Sequence, residues 1–257
     1  MRTVFAILLL AAVLAGCAGR KRGPAIAPGP GSGPDAGSER PGADAGPRLL
    51  RIGLVNRVEA LTLTLDGDCH LLSGPERRYV ERLPAGTVLR AEAGGELVFW
   101  RAGRRTGRSP GRFFIRPLDP ATTIVWQDTP YTGEMRVDAR DEGLTLVNAV
   151  ELETYLRGVV PWEIGRPGAE AQAALAAQAV AARTYSISHL GEREALGFDM
   201  WAGVTDQVYR GVHGTDEVCD RAIAMTAGLV LRHGGREIDA YYSSTCGGVS
   251  SSVHEVW

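Results

Sequence analysis

The sequence predicts an α+β fold, and three observations carry that prediction. Short apolar runs of strand type, punctuated by Gly, Pro and Asp, fill the chain from about residue 49 to 145. An Ala-rich stretch of high helix propensity follows at 169–189, with Val180 its one β-branched residue before Thr184. A Gly234-Gly235 pair then sits between two β-prone arms, as a tight turn requires. With 257 residues, 44% hydrophobic and 23% charged, the chain can bury a real core in one large or two small domains, which excludes wholesale disorder. A formal net charge of -2 and the lack of a basic stripe argue against a nucleic-acid partner, whose phosphates demand a cationic face.

Taken in order, the first element is a targeting segment. Arg2 and the apolar run 4–14 read as a secretory signal too short for a stable membrane span, and Leu14-Ala15-Gly16-Cys17 resembles a bacterial lipobox. The expected product is a chain cleaved after residue 16 and lipidated on Cys17, with several acyl chains giving stable anchoring. Ala18 in place of Asp points to the outer membrane, facing the periplasm. Residues 17–48 are the lipidated cysteine and a Gly/Pro-rich linker with no apolar period. Its roughly 30 residues reach about 30 Å as a coil.

Residues 49–145 are expected to be β-rich. The run 59–65 alternates strictly, and 97–100, 113–115, 123–126 and 144–147 are short β-prone segments. After Asn148 the character changes: a short helix is expected at 151–157, a buried central helix at 169–189, and a second, shorter helix at 216–227 stopped by Gly228. The hairpin arms are expected at 229–232 and 237–243.

The chemistry centres on one carboxyl group. Glu163 stands among apolar neighbours in Val159-Val-Pro-Trp-Glu-Ile164, where desolvation raises a carboxyl pKa and keeps a general acid protonated near neutral pH. Spacing alone favours a solvent-facing loop glutamate or a helix-entry charge over a catalytic acid.

Four ordered blocks add to this reading. Leu146-Val-Asn-Ala-Val-Glu-Leu-Glu-Thr-Tyr-Leu-Arg-Gly-Val-Val-Pro-Trp-Glu163, Ala177-Gln-Ala-Val-Ala-Ala-Arg-Thr-Tyr185, Asp206-Gln-Val-Tyr-Arg-Gly211 and Ser243-Ser-Thr-Cys-Gly-Gly248 resemble the stage II sporulation protein D family, the SpoIID/LytB domain. The likeness covers about 148–257, with a weaker echo at Tyr131-Thr-Gly133. It implies work on peptidoglycan: sporulation members are lytic transglycosylases, and others are amidase enhancers. On the resemblance, Glu163 is the catalytic acid, alone sufficient because it can next act as base on the sugar's own 6-hydroxyl. Gln178, Arg183, Tyr185, Gln207, Tyr209, Ser243 and Ser244 match positions that line or brace the groove. For Arg183, a purely structural role beneath the site stays open, as does core satisfaction for Gln207 and Tyr209.

Departures from the family matter too. Where some sporulation members carry a zinc-binding His-Cys pair, this chain has Thr205 and Asp206, and its five histidines show no ligand spacing, so no metal or other cofactor is expected. Ala176 replaces a common lysine, and 164–168 lacks the usual Met-Pro form. The chain stops at Trp257, where relatives usually continue, so the last part is expected to be incomplete. In an oxidising compartment two of the three remaining cysteines are expected to pair. Cys219 with Cys246 is the expected bond, since the elements carrying them adjoin in sequence and related non-sporulation proteins resemble this pattern, leaving Cys69 reduced. The expectation is therefore a cell-envelope lipoprotein with a SpoIID/LytB-like part at 146–257. It would be a lytic transglycosylase of glycan strands or else a non-catalytic, peptidoglycan-binding amidase enhancer, with an N-acetylmuramoyl-L-alanine amidase as possible partner.

Overall fold

The computed structural model describes residues 49–93, 97–101, 104–109, 111–140 and 142–243. The expected signal peptide, Cys17 and linker, and also Ser244 and Cys246, lie outside the described residues.

The fold is α+β. Twelve strands come first: β1 (Leu49–Val58), β2 (Ala60–Leu65), β3 (Cys69–Ser73), β4 (Arg78–Leu83), β5 (Val88–Glu92), β6 (Leu97–Arg101), β7 (Arg104–Ser109), β8 (Arg112–Pro117), β9 (Ile124–Trp126), β10 (Thr129–Tyr131), β11 (Glu134–Arg140) and β12 (Gly143–Glu151). Helices α1 (Leu152–Arg157), α2 (Val160–Glu163) and α3 (Gln172–Ser188) follow, then β13 (Met200–Trp201), α4 (Glu217–Met225), β14 (Arg232–His233) and β15 (Arg236–Glu237). A seven-stranded sheet runs β13-β1-β12-β11-β8-β3-β4, and a six-stranded sheet runs β10-β9-β2-β5-β6-β7. β1 and β2 are nearly continuous, yet they belong to different sheets. Arg57, whose φ is 61°, falls within the second of two register shifts in the β1–β12 ladder, and the chain bends at Glu59 into β2.

The strict alternation of Ala-Leu-Thr-Leu-Thr-Leu puts Leu61, Leu63 and Leu65 on one buried face of β2. They join one apolar cluster with Leu50 and Ile52 of β1, Phe113 and Ile115 of β8, Met135 and Val137 of β11, and Leu144, Leu146 and Val150 of β12. The same cluster continues into Leu152, Tyr155 and Leu156 of α1, Leu175, Ala179 and Ala182 of α3, and Ala222 and Ile223 of α4. Strand β12 is buried on both faces, with Thr145 and Val147 opposite the cluster. The change of character seen in the sequence near 145 thus falls inside a central strand that serves both halves.

The helices start where their capping chemistry says they should. The Glu151 carboxylate accepts from Thr154 N–H at the head of α1, and Asp216 accepts from Val218 and Cys219 N–H at the head of α4. The Ala-rich stretch forms a short 3-10 turn at Ala169–Ala171 and then α3, which packs against both α1 and α4. Its small residues admit that close packing, and Ser186 satisfies its hydroxyl on the Ala182 carbonyl at 2.8 Å.

The C-terminal hairpin is shorter than expected. Only two residues on each side of Gly234-Gly235 pair as strands, although both glycines have the positive φ, 57° and 78°, that such a turn needs. Tertiary bonds take the rest: Leu231 N–H donates to Thr184 Oγ1, Leu229 carbonyl accepts from Arg183, and Tyr241 and Tyr242 turn toward a cleft.

Where α1 ends, three backbone segments meet. Arg210 N–H donates to the Gly158 carbonyl at 3.1 Å and Val212 N–H to the Pro130 carbonyl at 2.9 Å. A Cβ at Gly158 would lie 2.0 Å from the Gly211 oxygen and 2.7 Å from the Tyr209 ring. Gly158→Ala is therefore expected to cost about 1–3 kcal/mol by overpacking, seen as a lower thermal midpoint by circular dichroism.

Candidate functional site

Glu163 is placed by two loops that grip each other. It ends α2, which begins with Val160-Pro161, a proline position suited to a helix start. Beside it the Trp162 indole N–H donates to the His213 carbonyl at 3.2 Å, and the Arg166 guanidinium donates twice to the Gly214 carbonyl, at 3.1 and 2.8 Å. The Glu163 carboxyl is half-buried, and its Oε1 accepts from Val208 N–H at 2.6 Å. Desolvation raises its pKa above the ordinary carboxyl range, outweighing the Val208 N–H, which favours the charged form. A proton is thus retained to higher pH than on a solvated glutamate.

A cleft of about 670 Å³ opens over this group. Gln178 and Tyr185 of α3, Val204 to Asp206 and Val208 of the segment after β13, and Tyr241, Tyr242 and Ser243 of the chain beyond β15 line it with Glu163 and Ile164. Its rim is apolar and open: Val204 is 94% exposed, Tyr241 58% and Ile164 36%.

Two carboxyl groups are among the lining residues, and they differ in commitment. Asp206 is held by the Arg193 guanidinium at 3.1 Å, by Trp201 N–H at 2.8 Å and by the Tyr185 hydroxyl at 3.1 Å. Among the described residues Glu163 is bonded only to the Val208 N–H, on one oxygen. Glu163 is thus the less committed of the two, and Asp206 holds the Tyr185 hydroxyl.

The structure sorts the residues singled out in the sequence. Glu163, Gln178, Tyr185 and Ser243 come together in the cleft. Arg183 does not line it. Fully buried, its guanidinium pairs in a fork with Glu153 at 2.8 and 2.8 Å and donates to the Ala179, Leu229 and Ile223 carbonyls, so it joins α1, α3 and α4 beneath the site. Tyr209 is buried too, its hydroxyl donating to Asn148 Oδ1 at 2.8 Å and its ring packed between Tyr155 and Tyr131 at 4.7 and 5.7 Å. Gln207 is wholly enclosed, with both ends of its amide engaged by protein groups. These three position the site and do not face it.

Other participants were not singled out in the sequence. Asp206 opens the third block but draws notice there only for standing where a zinc-binding pair would be, and Tyr242, in no block, is tied to the site through Gln207, 35 residues away. Asn148 did stand in the first block; it is buried and links β12 to the Thr132 and Glu134 carbonyls through its Nδ2, at 2.9 and 3.4 Å. Cys69 and Cys219 are both buried and neither is bonded to another cysteine among the described residues; desolvation pushes their thiols up to about 11 and about 12. Cys219 Sγ faces the Gly165 carbonyl at 4.0 Å, while its expected partner Cys246 lies outside the described residues. Among the described residues no three His, Cys, Asp or Glu side chains gather as a metal site would need, and no helix is long and apolar enough to cross a membrane.

Comparison with known proteins bears on what this cleft handles. Residues 140–233 match the SpoIID family, described as Stage II sporulation protein. An uncharacterised protein of Brachyspira hyodysenteriae is 32% identical over 128 residues, 49% of this chain and 34% of its own length. The amidase enhancer of Bacillus subtilis is 38% identical over 104 residues, 40% of this chain and 13% of its own length. The chain thus spans about a third or less of the curated relatives it matches. No solved structure matches.

Two outcomes test this geometry. Arg183→Ala strands Glu153 and is expected to cost about 3–5 kcal/mol, read from the urea midpoint, whereas Gln178→Ala, on the cleft wall, is expected to leave that midpoint nearly unchanged. The second is a pH effect. Because the folded state raises the Glu163 pKa, the stability of the wild type relative to Glu163→Gln is expected to fall as pH rises from the ordinary carboxyl value upward, and parallel urea titrations at a series of pH values check this direction.

Proposed function

Residues 140–233 make this chain a member of the SpoIID/LytB family, and from that premise we propose that it is a peptidoglycan lytic transglycosylase with Glu163 as its acid and base. The observation that carries this reading is the desolvated Glu163 carboxyl group, bonded among the described residues only to Val208 N–H, in an open cleft of phenols and apolar rim residues. Protonated Glu163 gives its proton to the glycosidic oxygen as the bond to the anomeric carbon breaks. The resulting carboxylate then takes the proton of the same sugar's 6-hydroxyl, whose oxygen closes onto the anomeric carbon as a 1,6-anhydro ring. No water is consumed, so the second carboxylate that a hydrolytic glycosidase uses has no part to play.

Gln178, Tyr185 and Ser243 contact the glycan in this scheme, and Ser244 is assigned there with them. Arg183, Gln207 and Tyr209 hold the frame. Cys17 carries the lipid that tethers the chain to the envelope, on the outer-membrane side facing the periplasm, and Cys219 pairs with Cys246. Non-reducing peptide mapping and the mass of the N-terminal peptide test those two assignments.

The similarity to the Bacillus subtilis amidase enhancer supports a second reading, in which the same cleft binds glycan without cutting it and presents the wall to an amidase. Incubating the full-length chain with purified glycan strands and analysing the products by mass separates the two. Anhydro-muramyl ends from wild type, reduced about 10²–10⁴-fold in Glu163→Gln, are the expected result. Binding without such ends moves the function to the enhancer reading, whereas cleavage that survives Glu163→Gln overturns the assignment of Glu163 as the acid.

A further inference from the structure

Trp162 precedes Glu163 in α2 and is 37% exposed, although an indole ring gives up much area when buried. Its N–H is spent on the His213 carbonyl, so the ring is what it offers to solvent. Two guanidinium groups lie over that ring, Arg166 at 5.0 Å and Arg210 at 5.9 Å from its centroid, and the His213 imidazole stacks on it at 6.1 Å and 20°. The loop bearing Arg210 and His213 is fixed by its backbone: Arg210 N–H donates to the Gly158 carbonyl, Val212 N–H to the Pro130 carbonyl and His213 N–H to the Arg210 carbonyl. It continues from Val208, whose N–H meets Glu163, so this patch and the Glu163 carboxyl group share both of their supports. Trp162, Arg166 and Arg210 themselves do not line the cleft.

Charge is unbalanced at this patch. Elsewhere in the fold Arg51, Arg112, Arg157, Arg183 and Arg193 rest on carboxylates. Arg166 and Arg210 form no ion pair among the described residues. Arg166 gives Nε and Nη2 to the Gly214 carbonyl and keeps Nη1, while the Arg210 guanidinium makes no hydrogen bond among the described residues and keeps its whole fork. Asp216, the acidic group that feels Arg166 through space, is held at the head of α4 by Val218 and Cys219 N–H. A guanidinium held against an aromatic ring has already given up much of its rotamer freedom, and its planar N–H groups match the two oxygens of a carboxylate in parallel.

We propose that Trp162, Arg166 and Arg210 form a carboxylate-binding subsite outside the Glu163 cleft, which takes an acid group carried by the strand whose sugar lies over Glu163. Arg210 meets the carboxylate with its free fork, and Arg166 adds a second positive charge on the same ring. The proposal deepens the glycan reading and rests on it. Peptidoglycan presents this chemistry in two places: on the lactyl ether of muramic acid where the peptide has been removed, and on the peptide where it has not. A single flexible surface ion pair contributes little, about 0–1 kcal/mol, whereas a preorganised fork beside a second guanidinium contributes more. Arg166 and Arg210 are thereby specificity residues, and Trp162 is a positioning residue that holds both guanidinium groups.

The test is calorimetric binding of the full-length chain carrying Glu163→Gln, which leaves strands whole, to short glycan strands with and without their peptides. Each strand is used as isolated and after conversion of its carboxyl groups to neutral methylamides. At least one acidic strand is expected to bind about tenfold more tightly than its amidated form. A larger ratio for the stripped strand assigns the lactyl acid, and a larger ratio for the peptide-bearing strand assigns the peptide. Adding Arg210→Ala should largely abolish the ratio, while Arg78→Ala, at an exposed position of the edge strand β4, should leave it unchanged. Thermal melts identify a variant that fails to fold, and Arg166→Ala then takes the place of Arg210→Ala. Equal affinity for acidic and amidated strands, or equal losses in Arg78→Ala and Arg210→Ala, overturns the subsite while the glycan reading stands. Binding of no strand, acidic or amidated, overturns the glycan reading itself, and the subsite with it.

Discussion

A primary amide enclosed in a protein must find partners for all its hydrogen-bonding positions, and the structure is organised around one that does. Gln207 reaches Tyr155 on α1, Ala182 and Ser186 on α3, and Tyr242 on the chain beyond β15. An unpaired amide end at this depth would cost about 1–3 kcal/mol, so each of those elements is held to within bonding distance of the same side chain. Because Gln207 follows Asp206 and precedes Val208, its anchoring also locates the carboxylate that holds Tyr185 and the N–H that meets Glu163.

Two further constraints tie this hub to the sheets. Asn148 of β12 is bonded to the Tyr209 hydroxyl on one side and to the Thr132 carbonyl on the other, so the central strand registers the loop that follows Gln207. Upstream, Arg51 and Asp199 exchange backbone and side-chain hydrogen bonds, with Asp199 bonded to Arg51 N–H at 2.7 Å, and this brings β13 alongside β1. Burial works to raise the Asp199 pKa, but the Arg51 and Gly191 donors prevail and hold it below the ordinary carboxylate range. The segment bearing Asp206 to Tyr209 is thereby fastened at both ends to the seven-stranded sheet.

The site inherits its chemistry from these fastenings. A frame of fully satisfied polar groups, Arg183 with Glu153 and Gln207 with its four partners, spends its hydrogen bonds internally and rigidly. Among the described residues, what remains unspent faces the cleft: the Glu163 carboxyl group and Gln178 Nε2. Preorganised groups of this kind stabilise charge and orient a ligand without reorganising when it arrives. The apolar rim of Ile164, Val204 and Tyr241 adds area without polarity.

How much of this was legible in the sequence follows the range of the interactions. Alternation in 60–65, the Ala-rich run that became α3 and the capping residues Glu151 and Asp216 act through near neighbours, so composition and period determined the α+β class and helices α1, α3 and α4 on their own, though not the short α2. Strands such as β4, with Arg78, Tyr79 and Val80 exposed at a sheet edge, carry no apolar period and emerged only through pairing with β3. Glu163 was legible because its apolar neighbours are adjacent in sequence and its block resembles a known family. Whether Arg183, Gln207 or Tyr209 touched ligand or held the frame was not, since a buried and an exposed polar side chain are written with the same letter. The tertiary structure decided it by bringing Glu153 to Arg183, Tyr242 to Gln207 and Asn148 to Tyr209 across separations of 30, 35 and 61 residues. At those distances along the chain, only the closed sheets and helices determine which polar groups meet and which are left for a substrate.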